Sequence, residues 1–259
     1  MKNKKSIVET HFDKIGSEDI NINIHGSASN PELLQFPYIY IEGIINDCNS
    51  KSSMDINVLD YCCGTGLYSI YPSLRGMKVE GIDISDKSIN VAKLRSKKFG
   101  VSKNCYFQKM DAEILKFKDN KFDLILSYNS LTYLNLEKSF KELSRVISKN
   151  GKLLIMDSVG HNILFLFNRS KNLNNWAGPI KNDIRLLKKK DIDLTNKYFH
   201  LDSIKYFGFF SLVFLFLERK IGLKVKISLI DKIDQFLLSL PFAYLLAFKY
   251  VAVYSPKKS

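Results

Sequence analysis

Apolar and polar positions change period along this chain, and the changes mark out units. From about residue 56, short apolar runs alternate with longer stretches whose apolar positions recur at helical spacing. The runs predict strands at 56–61, 78–83, 104–109, 122–127 and 152–157. The fourth, Phe122-Asp123-Leu124-Ile125-Leu126-Ser127, is almost continuously apolar, as a strand covered on both faces should be. Between the runs, the spacing predicts helices over 66–75, 86–99 and 137–148. Ser85 suits the cap of the second of these, which carries apolar Ile89, Val91, Ala92 and Leu94, and Asn150-Gly151 reads as the stop of the third. Strands alternating with helices argue for a parallel sheet with helices on both faces.

The flanks follow a different pattern. Residues 1–50 read as an N-terminal cap segment: an amphipathic start from Ile7-Val8 to Phe12, then polar positions to Ser29. A helix start falls at Asn30-Pro31-Glu32, and Pro37 is expected to kink or end that helix. Residues 51–259 then form one domain. Beyond Asp157, 160–200 reads as a helical or irregular insertion with a polar middle, and 188–199 as a helix within it. Positions 203–217 are strongly apolar, a helix is expected near 229–240 inside an apolar insertion of about 206–245, and 246–254 reads as the last strand. The runs Tyr206–Leu217 and Phe236–Phe248 are too short for a bilayer span, which takes about 20 residues. Core strand and core helix are the simplest use of them. A hydrophobic lid or interfacial surface for an apolar or lipid-linked substrate is the alternative.

Composition narrows the field. Of 259 residues 46% are hydrophobic, enough for a sizeable core. Lysine and arginine exceed the acids by 39 − 26 = 13. That excess raises nucleic acid or an anionic membrane surface as partners, but the basic residues are spread along the chain, which favours a solvated surface. The cysteines (Cys48, Cys62, Cys63 and Cys105) form no C-x-x-C pair, so neither a disulfide framework nor a metal site is expected. A reducing cytoplasm, with peripheral membrane contact as an addition, is the expected compartment, because the first residues carry no apolar signal region.

The chemistry concentrates in Asn57–Leu67, NVLDYCCGTGL. This is a strand, a turn of small residues and the start of an apolar run. Gly64 and Gly66 let the backbone bend sharply and let a ligand approach the main chain. A dinucleotide site asks for a third glycine, where this chain has Ser69, and Asp60 at the strand tip would repel a pyrophosphate. A nicotinamide dehydrogenase is therefore disfavoured. An acidic loop suits a ligand with an ammonium group and no phosphate, such as S-adenosylmethionine. Asp83, at the tip of the next strand, is placed to accept hydrogen bonds from ribose hydroxyls.

The blocks LDYCCGTG, EGIDIS, Lys109-Met110-Asp111-Ala112 and FDLILSYNSLTYL, in this order and spacing, resemble the class I S-adenosylmethionine-dependent methyltransferases. The likeness covers roughly 55–157. The family's D-x-G-x-G-x-G loop has Cys62 in place of its first glycine here. The resemblance implies an α/β fold: a doubly wound, seven-stranded, mostly parallel sheet with an antiparallel last strand, an N-terminal cap and a C-terminal helical insertion. It implies S-adenosylmethionine as cofactor. Asp60, Gly64 and Gly66, in a loop with Cys62 and Thr65, would face the methionine end. Asp83 would take the ribose, with Ile84 beside the adenine. Asp111 would bond the adenine amino group, with Met110 and Ala112 flanking the ring, and Tyr128 and Asn129 would lie near the transferred methyl. His161, shortly after the fifth strand, is the candidate general base, ahead of His200, His11 and His25. His11, Phe12 and either Tyr38 or Tyr40 are candidates to contribute to the cap.

The function these features favour is methyl transfer to a hydroxyl or amine of a small-molecule, sugar or lipid-type acceptor. An RNA methyltransferase, suggested by the charge, is the first alternative; it lacks a visible RNA-binding module and the Asn-Pro-Pro-Tyr type of motif after the fourth strand. A cofactor-binding partner protein without catalysis is the second.

Overall fold

The computed structural model describes residues 4–18, 36–51, 55–160, 187–209, 214, 217 and 227–257. Seven strands form one sheet: β1 (Asn57–Tyr61), β2 (Lys78–Asp83), β3 (Cys105–Lys109), β4 (Phe122–Tyr128), β5 (Ile147–Ser158), β6 (Phe199–Phe207) and β7 (Lys249–Pro256). Their order is β3-β2-β1-β4-β5-β7-β6. β1 to β5 pair in parallel, and β7 runs antiparallel between β5 and β6. The chain reverses direction across the sheet between β1 and β4, so a crevice opens above their carboxyl ends, where α/β sheets bind ligands.

Alternation along the strands splits the interior into two layers. Leu59, Tyr61, Ile125 and Ile155 point to one face, against Phe140 and Leu143 of α5 (Leu136–Val146). Val58, Leu124, Leu126, Leu154 and Met156 point to the other, against Ile41 and Ile45 of α2 (Phe36–Lys51). The remaining helices are α1 (Lys4–Glu18), α3 (Ile70–Leu74), α4 (Asp86–Lys98), α6 (Lys189–Thr195) and α7 (Ile227–Leu238). Ser85 caps α4, its side chain accepting from the Ser88 N–H at 3.0 Å.

The doubly wound sheet and its antiparallel last strand agree with expectation. Several local expectations need correction. The helix expected from 66 begins only at Ile70 and lasts five residues. Gly64 and Gly66 both lie in left-handed backbone, which continues the turn, and the Ser69 side chain is used by Asp60 rather than as a cap. The helix expected to 148 stops at Val146, and β5 starts at once. Asn150-Gly151 is therefore no helix stop. It sits in an irregularity where the partner of β4 jumps from Ile147 to Lys152. Pro37 does not end α2: it occupies the first turn of that helix as described, where its missing N–H costs nothing. The expected helix start at 30–32 lies outside the described residues.

The C-terminal third departs further. Phe199 opens β6 instead of ending a helix, and the sixth strand is the polar-alternating 199–207 rather than part of the apolar 203–217. Its charged residues suit an edge strand, which must not offer itself to another sheet. The run from Phe236 is not simply core: Leu238 and Ala247 are buried, while Phe236 and Phe242 are 68% and 74% exposed.

Candidate active site

A cavity of about 1110 Å³ opens above the carboxyl ends of the strands. Asp60, Cys62, Cys63, Gly64, Thr65, Asp83, Ile84, Asp111, Ala112, Tyr128 and Asn129 all line it. Of the residues expected there, Met110 and Gly66 do not. Met110 lies in the core, its sulfur accepting from the Lys116 N–H at 3.4 Å. Gly66 carries the loop past α4: a Cβ there would stand 2.7 Å from the Ala92 Cβ.

The loop after β1 gets its shape from three left-handed residues, Cys62 (φ 59°), Gly64 (φ 52°) and Gly66 (φ 72°). These are the positions at which the resembled motif carries glycines. Cys62 thus keeps the glycine's backbone while bearing a side chain, a conformation that costs an ordinary residue about 1–2 kcal/mol. The Cys63 N–H donates to the Ile82 carbonyl at 2.8 Å, tying the loop to β2. Arg95 of α4, buried, donates to the Thr65 carbonyl and, at 2.6 Å, to the Thr65 hydroxyl. Burial pushes the thiols of Cys62 and Cys63 up, so both are neutral and neither is a nucleophile at neutral pH.

Three carboxylates define the walls of this end. Asp60 is buried and accepts from the Ser69 hydroxyl at 2.5 Å. Burial pushes its pKa up to about 7, the nearby Asp83 adds to the rise, and the Ser69 bond opposes it. Asp83 accepts from the Gly64 N–H and the Ser85 N–H, each at 2.9 Å. Burial raises its pKa too, against the pull of these backbone bonds. Asp111 accepts from the Glu113 N–H at 2.9 Å and pairs with Lys5 of α1 at 2.6 Å. Lys5, Val8 and Phe12 bring α1 over this end of the cavity, and Asp13 accepts from the Ser85 hydroxyl at 2.6 Å.

The other end is aromatic and basic. Tyr128 stacks on Tyr68 with ring centres 4.3 Å apart, and Tyr68 stacks on Tyr38 at 5.1 Å. Lys249, the first residue of β7, donates to the Asn129 side-chain oxygen at 3.0 Å and to the Tyr38 hydroxyl at 3.3 Å. Asn129 itself is left-handed (φ 52°), which turns the chain out of β4. Asp157 accepts from the Leu131 N–H at 3.1 Å and holds the turn that follows β4.

His161 and His25 lie outside the described residues. His200 is exposed on β6, and neither it nor His11 lines the cavity. Of the expected cap residues Phe12 and Tyr38 line it and Tyr40 does not. Sequence reasoning missed Ser69, Arg95, Tyr68 and Lys249. Only Ser69 had a local signal, its place nine residues after the acid it serves. The others arrive from α4, the loop and β7, and only the fold brings them in.

A seven-stranded sheet in this order, with a glycine loop after β1 and acids at the tips of β1 and β2, is the fold and site of class I S-adenosylmethionine-dependent methyltransferases. The chain belongs to that family: the family model described as "Methyltransferase domain" matches residues 52–200. It is similar to the malonyl-[acyl-carrier protein] O-methyltransferase of Buchnera aphidicola, 29% identical over 215 residues that make up 78% of this chain and 83% of that protein. It is similar also to the ubiquinone biosynthesis O-methyltransferase of Pelagibacter ubique, 37% identical over 44% of this chain and 48% of that protein. Among solved structures it shares the fold of geranyl diphosphate C-methyltransferase from Streptomyces coelicolor in complex with geranyl diphosphate and S-adenosyl-L-homocysteine, with TM-score 0.67, 12% identity and 99% of each chain covered. The chain spans 33% to 48% of the length of the first curated relatives it matches.

The acidic end fits the cofactor of this family. A Cβ built on Gly64 meets nothing within 4 Å, so the main chain there is bare toward a ligand. Asp83, held by the backbone N–H groups of Gly64, Ile84 and Ser85, lines the cavity as an acceptor for a ligand hydroxyl. Asp60, a buried acid poised near neutrality, is suited to a cationic group.

Proposed function

We propose that this chain transfers a methyl group from S-adenosylmethionine to a hydroxyl or amine of a small-molecule acceptor. The carrying observation is that one cavity joins the acid-lined glycine loop to the Tyr38–Tyr68–Tyr128 cluster and Lys249. Asp60 and the loop 62–65 would hold the methionine portion, Asp83 and Ile84 the ribose and adenine, and Asp111 and Ala112 the adenine edge. When bound, the sulfonium supplies a methyl group open to direct displacement, with a neutral thioether as leaving group. The chain's task is then to align the acceptor and exclude water. The tyrosine cluster forms an apolar wall for that purpose, and α1 and α2 act as the cap that closes over the site. The cavity exceeds the ~300–1000 Å³ usual for a single ligand, as a site for cofactor and acceptor together should.

The named relatives are a ubiquinone biosynthesis O-methyltransferase and a malonyl-[acyl-carrier protein] O-methyltransferase, and the structural neighbour is a geranyl diphosphate C-methyltransferase. This supports an acceptor of the metabolite class over RNA. Among the described residues no helix is long and apolar enough to cross a membrane.

Calorimetric titration with S-adenosylmethionine and S-adenosylhomocysteine tests the reading. Saturable binding of both, weakened in Asp83→Asn, supports it and opens a search for acceptors by mass gain of one methyl. Binding of neither overturns it.

A further inference from the structure

We propose that Tyr38, as its phenolate, takes the proton from the acceptor, with Lys249 and Tyr68 as positioning residues that hold the phenolate charge until it does. The proposal deepens the methyl-transfer reading and rests on it.

The argument is one of hydrogen-bond capacity. A phenol oxygen has two acceptor positions and one proton to give. The Tyr38 oxygen receives the Lys249 ammonium at 3.3 Å and the Tyr68 hydroxyl. Asn129 is a third polar partner, so hydrogen-bond donors crowd this one oxygen, and in its phenolate form it presents an acceptor to the cavity that Tyr38 lines. Lys249 is only 8% exposed, and among the described residues its partners are neutral: the Tyr38 and Asn129 oxygens, and the faces of Tyr38 and Phe248 at 5.2 and 5.7 Å. A buried ammonium with neutral partners is costly, and an anion beside it relieves the cost. The phenolate of Tyr38 is the anion within reach.

The surrounding charges single out the same oxygen. Burial acts to raise the Tyr38 pKa, but the Lys249 charge and the bonds from Tyr68, Lys249 and Asn129 outweigh it and hold the phenol below the ordinary tyrosine value. Tyr68 is pushed up by burial and by Tyr38, with Asp60 adding to the rise. Tyr128 is pushed up by burial, with Asp60, Tyr38 and Glu42 adding to it. The groups facing Tyr38 are thus Tyr68 from the β1 loop, Tyr128 and Asn129 from the end of β4 and Lys249 from β7, while the charges of Asp60 and of Glu42, on α2 itself, act on the other tyrosines. Of the three phenols, Tyr38 is the one whose ionisation the surroundings favour.

In the transfer step the acceptor O–H bond breaks. Its electron pair forms the O–CH3 bond, the S–CH3 pair stays on sulfur, and the proton moves to the Tyr38 phenolate, which becomes a neutral phenol and later returns the proton to water. General bases of this kind contribute about 10²–10⁴ in rate.

The test is a spectrophotometric tyrosinate titration of the full chain without cofactor. One tyrosine should ionise ahead of the rest. That step should vanish in Tyr38→Phe, move to higher pH in Lys249→Met and return toward its place in Lys249→Arg. A curve unchanged by Tyr38→Phe, or an early step indifferent to Lys249→Met, overturns the proposal. With an acceptor in hand, Tyr38→Phe should lower kcat by about 10²-fold or more at unchanged cofactor affinity. Wild-type kinetics in that variant also overturn it. Failure of the unsubstituted protein to bind S-adenosylmethionine counts against the methyl-transfer reading instead, and the titration result stands apart from it.

Discussion

The two ends of the cavity are built in different ways. At the acidic end, the main chain is the architect. Asp83 grips the backbone N–H groups of Gly64, Ile84 and Ser85, Asp60 is held by Ser69, and left-handed backbone at the alternate residues Cys62, Gly64 and Gly66 shapes the loop within one β-α-β unit. At the basic end, side chains do the building. Tyr38, Tyr68, Tyr128, Asn129 and Lys249 come from α2, the first loop, β4 and β7, as far as 211 residues apart in sequence. A backbone-built site tolerates little change in the residues that permit its turns. A side-chain-built site can be re-equipped for another acceptor while the fold stands. The contrast suits a family that keeps one cofactor and varies the acceptor.

The largest effect should come from the acidic end. Gly66→Val puts a branched side chain at left-handed φ and within 3 Å of Ala92, and should destabilise by about 4 kcal/mol, read as the denaturation midpoint. Gly64→Ala, with open space around its Cβ, should cost about 1 kcal/mol and act mainly on cofactor binding. Equal destabilisation by the two would break the account of the loop.

Asp60 supplies the next effect. Its pKa is raised from 3.8 to about 7 in the folded chain, so the fold binds a proton that the unfolded chain releases. Stability from this group is full below about pH 4 and is lost as pH rises through about 7, a change of a few kcal/mol. Asp60→Asn should flatten that dependence. A bound ammonium should draw the proton off, so titration with S-adenosylmethionine near pH 6 should release close to one proton, seen by repeating calorimetry in buffers of different ionisation heat. Asp60→Asn should remove that release.

Asp83→Asn should weaken cofactor binding by roughly 10–100-fold, since one acceptor oxygen becomes a donor facing backbone N–H groups. Tyr38→Phe should leave cofactor binding intact. This pair separates the two ends directly, and a loss of cofactor binding in both variants would merge them. The smallest effect belongs to Lys5→Gln. Its pairs with Asp111 and Glu113 are partly exposed, so stability should change by less than about 1 kcal/mol in chemical denaturation.

Legibility in the sequence followed the same divide. β1, β2 and β4 are short apolar runs whose burial is decided by their own residues, and Asp60, Gly64 and Asp83 stand at fixed offsets from them. The α3 boundary is hidden because left-handed φ at Gly64 and Gly66 cannot be told from helix-compatible glycine by composition. The β5 start was misplaced because Ile147 pairs with Phe122 across a four-residue irregularity that no local pattern announces. β6 hid because an edge strand is half polar, and its partner β7 lies more than forty residues on. Tyr38 and Lys249 look ordinary in the sequence until the fold brings them together.

By itself the sequence determined the period of each element, the parallel core of the sheet and the acids and glycines of the first loop, because each of these depends on residues within a few positions of one another. Only the tertiary structure decided which strand closes the sheet, which lysine enters the cavity and which tyrosine meets it. Those outcomes rest on contacts between segments far apart in the chain, whose proximity is a property of the packed sheet and of no single stretch.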